Sequence, residues 1–96
     1  MRSLAEIKNV LLKHKQSLYE RYGLIHLGIF GSYSRGQQHE GSDLDILVEF
    51  KKPVGIEFID LANELERILQ IKVDLVSKNG IKKPYLNEIE NELNYV

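Results

Sequence analysis

The sequence predicts an α+β fold, a small mixed β-sheet covered by helices, and three observations carry that reading. Two long stretches place apolar residues at helical spacing, short apolar or alternating runs between them read as strands, and glycine- or proline-marked turns separate the two kinds. With 96 residues, 43% of them apolar and 28% charged, the chain is expected to form a single domain over residues 1–96 with its own core. The balance of 13 Lys+Arg against 14 Asp+Glu leaves a charge of −1, which argues against holding nucleic acid by an extended basic face. The absence of cysteine excludes a disulfide scaffold, a thiolate zinc site and a cysteine nucleophile. Leu24 to Phe30, the longest largely apolar run, is interrupted by His26 and falls far short of the roughly 20 residues that span a bilayer. Glu6 and Lys8 come too early for a signal peptide, so a cytoplasmic protein with no membrane partner is expected.

The elements follow in order. Leu4, Ile7, Leu11, Leu18 and Tyr22 recur at spacings of three, four and seven, one stripe of an amphipathic helix. Ser3 is its N-cap, with Glu6 at the capping-box position, and Gly23 ends it. Leu24 to Phe30 reads as a mostly buried strand. Gly31 to Ser42 is polar and glycine-punctuated, a loop with room for a short helix. Asp43 to Phe50 is the second strand, broken by Lys51-Lys52-Pro53. Phe58, Leu61, Ala62, Leu65, Ile68 and Leu69 mark the second long helix. Ile71 to Val76 alternates as a third strand, and Ser77 to Gly80 is a turn. Pro84 suits the first turn of a helix running to about Glu90, and Leu93 to Val96 can add a short edge strand.

The informative feature is the second strand. Side chains alternate faces, so Asp43 and Asp45 point the same way, opposite the apolar set Leu44, Ile46, Val48 and Phe50. A bland account makes Asp43 a turn cap and Asp45 a solvated outward residue. Asp74 weighs against it, because an aspartate amid Val73 and Leu75 is a poor strand former that needs a partner. If the second and third strands are neighbours, Asp74 meets Asp43 and Asp45 on one face. Three carboxylates so placed repel one another and call for a cation, and oxygen-only ligands suit Mg²⁺. The competing account of Asp74 is an ion pair with Lys72 or another basic residue.

Gly31-Ser32 leaves the first strand where a glycine lets the backbone approach a ligand, and Arg35 adds a charge suited to phosphate oxygens. An ordinary strand-exit turn with a solvated arginine is the alternative. A phosphate cradle facing a metal-binding acidic cluster is the layout that phosphoryl or nucleotidyl transfer requires.

Gly31-Ser32, ten residues, then Asp43-Leu44-Asp45, with Arg35-Gly36 in the loop and Asp74 on a later strand, closely resembles the polymerase-β-like nucleotidyltransferase superfamily. Within it, the short chain and the run Gly31-Ser32-Tyr33-Ser34-Arg35-Gly36 resemble the minimal nucleotidyltransferases of prokaryotic toxin–antitoxin pairs. The resemblance implies a polymerase-β-like fold and a two-metal transfer of AMP from ATP to an acceptor hydroxyl. Asp43 and Asp45 would hold both Mg²⁺ ions, and Asp74 would hold the catalytic one and help activate the acceptor. Gly31 and Ser32 would bind the triphosphate tail with Arg35 as helper. It further implies an antitoxin that adenylylates a tyrosine of a HEPN-class ribonuclease toxin, the toxin completing the acceptor side of the site. Two rivals stand beside this: a non-catalytic antitoxin that neutralises by occlusion alone, and a transferase acting on a small molecule or an RNA end.

The remaining candidates are expected to be structural. His14, His26 and His39 lack ligand-like spacing, Tyr19 and Tyr22 pack, and Lys78, Lys82 and Lys83 form a solvated turn. Tyr33, inside the motif loop, is placed to touch nucleotide or partner.

Overall fold

The computed structural model describes residues 2–96. Its elements are α1 (Leu4–Tyr22), β1 (Leu24–Phe30), α2 (Ser32–Arg35), β2 (Leu44–Phe50), α3 (Glu57–Leu69), β3 (Val73–Ser77), α4 (Lys83–Glu90) and β4 (Asn94–Tyr95), with a 3₁₀ turn at Lys78–Gly80. The four strands form one sheet in the order β3-β2-β1-β4. β1 pairs antiparallel with both β2 and β4, whereas β2 and β3 run parallel. The parallel pair exists because α3 carries the chain back to the starting end of the sheet, as a parallel connection requires. The expected mixed sheet with helical cover is therefore present.

Local chemistry accounts for the long helices. The Ser3 side chain accepts from the Glu6 N–H while the Glu6 carboxylate accepts from the Ser3 N–H, and Gly23 closes α1 at φ 65°. Ile7, Leu11 and Leu18 of α1 and Leu61, Leu65 and Leu69 of α3 are buried together with Leu44, Ile46, Val48 and Phe50 of β2. The apolar side of β2 thus faces both helices, and its aspartate side is left for other work. Arg21 and Tyr22 both donate to the Glu64 carboxylate, tying the end of α1 to α3.

Several boundaries differ from the sequence reading: β2 starts at Leu44, leaving Asp43 in the preceding loop, and β3 runs on through Ser77, which the sequence reading places in the turn. β3 starts at Val73 rather than Ile71, because Gln70 ends α3 at φ 57° and Ile71 and Lys72 are spent turning the chain. The Glu66 carboxylate then accepts the Val73 N–H at 2.8 Å and pins the strand start. β4 shrinks to Asn94–Tyr95. Its approach is close: a Cβ on Gly28 would stand 2.7 Å from the Leu93 Cδ1 and 3.3 Å from the Asn94 carbonyl oxygen, so a larger residue there would make Leu93 move. Tyr19 fastens the same end, donating its hydroxyl to the Val96 carbonyl and accepting the Leu27 N–H.

Candidate active site

The β2–β3 register puts Asp45 directly across from Asp74. Neighbouring strands lie about 4.8 Å apart, so two like charges share the sheet face opposite the one that packs on α1 and α3. Asp43, exposed, stands just before β2 and adds a third negative charge. Burial, then repulsion from Asp74 and from Asp43, pushes the Asp45 carboxyl up to about 6, with Arg35 opposing the shift. Among the described residues no Lys, Arg or His pairs with Asp74, so the ion-pair account of that residue is not realised.

The Gly31 backbone lies against this carboxylate. Gly31 sits at φ 76° and ψ −153°, and a Cβ there would fall 2.0 Å from the Asp45 Oδ2. The close backbone approach expected of a glycine at this position is thus made to Asp45. Ser32 opens α2 and Arg35 ends it, so Gly31, Ser32 and Arg35 are held at the end of β1 that faces Asp45; Phe30 and Asp45 are register partners.

The structure thereby brings Gly31, Ser32, Arg35, Asp43, Asp45 and Asp74 to one end of the sheet, beyond the close of β1 and at the starts of β2 and β3. Among the described residues no three His, Cys, Asp or Glu side chains are already gathered into a metal cage. Mg²⁺ does not require one, since it takes one or two carboxylates and fills the rest of its shell with water and substrate phosphates. The residues present fit that ion: the donors are all carboxylate oxygens, and the repulsion raising Asp45 is what a bound cation would relieve.

A cleft of 390 Å³ opens beside Asp43, between the loop His39–Ser42 and the turn Gln70–Lys72. Tyr33 lines this cleft although the residue is only 4% exposed and belongs to the core cluster. Tyr33, expected to touch nucleotide or partner, thus stands beside the cleft with little of its surface exposed. His39 shapes the loop, its N–H donating to the Ser42 Oγ and its ring lying 2.8 Å from the Glu40 carbonyl. The His26 ring lies 5.2 Å from that of Tyr95 at a tilt of 56°, and Lys78 pairs with Glu49. None of these has a reactive setting.

One residue of the site escapes sequence reasoning. Glu92 accepts the Gly31 N–H at 2.9 Å and two contacts from the Arg35 Nη1 at 2.8 and 3.1 Å. The Arg35 guanidinium, with help from the Gly31 N–H, holds the Glu92 carboxyl below the usual range. Some 57 residues separate Arg35 from Glu92, and no spacing rule joins them. The only hint in the sequence is that an arginine beside a strand exit needs a counter-charge.

A family model described as "Nucleotidyltransferase domain" matches residues 11–96. Protein adenylyltransferase MntA of Thermococcus cleftensis is 43% identical over 97 residues, covering 100% of this chain and 98% of its own. A Methanocaldococcus jannaschii protein, provisionally named a protein adenylyltransferase, is 46% identical over 98 residues with both chains covered in full. Among solved structures, a toxin–antitoxin complex with AMP-PNP contains a chain that matches at a TM-score of 0.75 and 29% identity, over 91% of this chain and 69% of that one. With its fold, its motif residues at one end of the sheet and these relatives in agreement, the chain belongs to the nucleotidyltransferase domain family, as a minimal protein adenylyltransferase of the polymerase-β-like kind.

Proposed function

We propose that this chain transfers AMP from ATP, with Mg²⁺, to a tyrosine hydroxyl of a cognate HEPN-type toxin and so acts as its antitoxin. The observation that carries the reading is the register of Asp45 opposite Asp74, with Gly31 against Asp45. Like charges placed this way are costly without a cation and useful with one. The toxin partner follows from the sequence resemblance and from the toxin–antitoxin assembly of a structural neighbour. Residues 1–96 act as one domain in the cytoplasm, and the toxin completes the acceptor side.

Asp43 and Asp45 would hold both Mg²⁺ ions and Asp74 the catalytic one. When bound, the metal supplies positive charge against the charge that develops on the transferring phosphoryl group. Gly31 and Ser32 bind the triphosphate tail, and Arg35 adds a fixed positive charge. The tyrosine oxygen forms a new bond to the α-phosphorus, the bond from that phosphorus to the bridging oxygen breaks, and pyrophosphate leaves in line. Asp74 helps to take the proton from the tyrosine.

Incubation with labelled ATP, Mg²⁺ and the cognate toxin tests the transfer, with mass spectrometry locating the added AMP on a tyrosine. The double variant Asp43→Asn, Asp45→Asn is expected to transfer none and to fail to neutralise the toxin at substoichiometric amounts, where only a catalyst can act. Full neutralisation by this variant at low ratio would instead identify an occlusion module.

A further inference from the structure

We propose that Glu92 is an internal stand-in for a phosphate, a carboxylate that occupies the triphosphate cradle until nucleotide displaces it. The inference rests on the assignment of Gly31 and Arg35 as triphosphate-binding groups. Both are engaged by one carboxylate of this chain: Oε1 takes the Gly31 N–H at 2.9 Å and the Arg35 Nη1 at 3.1 Å, and Oε2 takes the same Nη1 at 2.8 Å. Two oxygens on one carbon, collecting a backbone N–H and a guanidinium, reproduce what two oxygens of a phosphoryl group would collect. A donor cannot serve both fully, so a phosphate that binds here must take these bonds from Glu92.

The surroundings allow the exchange without unfolding. The backbone around Glu92 is fastened independently of its side chain: Ser34 donates its hydroxyl to the Glu92 carbonyl, and the Asn94 amide donates to the Ser34 Oγ at 2.6 Å. β4 pairs with β1 immediately afterwards, and Leu93 lies on Gly28. The Glu92 side chain itself is 28% exposed and the Arg35 side chain 46%, so rotation about the glutamate's own bonds releases it to water. The trade favours a ligand of high charge. A triphosphate brings several negative charges where Glu92 brings one, whereas a nucleoside monophosphate gains little by the exchange. Glu92 therefore lowers affinity by the fraction of molecules in which it occupies the cradle. It also biases the site toward anions of more than one phosphate.

Inorganic tripolyphosphate without metal is the direct probe, followed by calorimetry on the wild type and on Glu92→Gln. The glutamine keeps the shape and removes the competing charge, so tripolyphosphate is expected to bind about tenfold more tightly to the variant. Inorganic monophosphate should gain far less. If Glu92 instead merely positions Arg35, the variant binds equally or more weakly, and the inference is overturned while the nucleotide reading stands. If neither protein binds tripolyphosphate at millimolar concentration, the cradle assignment falls and the inference falls with it. Wild-type NMR decides the matter even if the variant misfolds. At saturating tripolyphosphate the Glu92 carboxyl carbon should move toward the position of a solvated glutamate as the Gly31 amide shifts; a Glu92 signal that stays in place while Gly31 shifts overturns the displacement.

Discussion

Asp45→Asn is expected to reduce AMP transfer by about 10³-fold, equivalent to about 4 kcal/mol of transition-state stabilisation, while the metal-free protein becomes more stable. Opposite signs for activity and stability are the signature of a charge kept for function at a cost to the fold. Asparagine preserves the volume at the β2 position and leaves the core-facing residues Leu44 and Ile46 untouched, so the circular dichroism spectrum should not change. Transfer at the normal rate by this variant would remove Asp45 from the site.

The stability half has a pH dependence whose sign follows from the carboxyl's environment. Asp45 is raised from 3.8 to about 6 by burial and by Asp74 and Asp43. Below 3.8 it is protonated in both folded and unfolded chains and costs nothing; as pH rises toward 6 the unfolded chain ionises freely and the folded one resists, so stability is lost through that window. The asparagine variant has no such loss. Its melting temperature in chelator should match the wild type near pH 4 and exceed it by about 2–4 °C at pH 7, a small difference because a half-exposed charge is partly screened. Adding Mg²⁺ and a non-hydrolysable ATP analogue reverses the order. It stabilises the wild type by about 2.7 kcal/mol at one hundred times Kd and the variant far less. A variant no more stable than the wild type in chelator, yet fully responsive to ligand, would contradict the shared-charge account.

What the sequence disclosed and what it hid have physical reasons. Alternation set Asp45 apart from the apolar set Leu44, Ile46 and Val48, and helical spacing exposed the stripe through Leu11 and Leu18, because both are local periodicities; Asp43 stands just outside the strand, where alternation does not govern it. Asp74 was legible as an anomaly, an acid inside an apolar strand; that it meets Asp45 depends on the parallel β2–β3 pairing, a long-range fact. That Tyr33 is buried and yet borders the cleft beside Asp43 depends on how α2 leaves β1, which polar loop residues do not encode. Glu92 was invisible for the same reason in stronger form. It reaches Arg35 only because β4 returns to the edge of β1, and two residues of strand leave almost no pattern to read.

Gly31→Ala should damage fold and chemistry together, and a second glycine separates the two effects. At φ 76° and ψ −153° Gly31 occupies backbone space that alanine enters at a cost of about 1–3 kcal/mol, or a fall in melting temperature of roughly 5–20 °C for a domain of this size. Gly23, at φ 65°, also has a positive φ, but a Cβ there meets nothing within 4 Å, and Gly23 stands at the opposite end of β1 from Gly31. Gly23→Ala should therefore lower stability and leave AMP transfer per folded molecule unchanged. Gly31→Ala adds a collision that Gly23→Ala lacks. The new methyl would lie 2.0 Å from the Asp45 Oδ2, 2.9 Å from its Cγ and 3.2 Å from its Cβ. Rotation of the carboxylate cannot clear all three, because the Asp45 Cβ is held by the strand, so either the carboxylate or the Gly31 backbone must give way. Either shift disturbs the relation between the acidic pair and the Gly31 N–H by an amount near 1 Å, a displacement that costs about 10²-fold in rate when reacting groups must be aligned. Assays at a temperature where both variants are folded should find transfer lost in Gly31→Ala and retained in Gly23→Ala. Equal activity in the two would mean that the close approach of Gly31 to Asp45 has no part in the reaction.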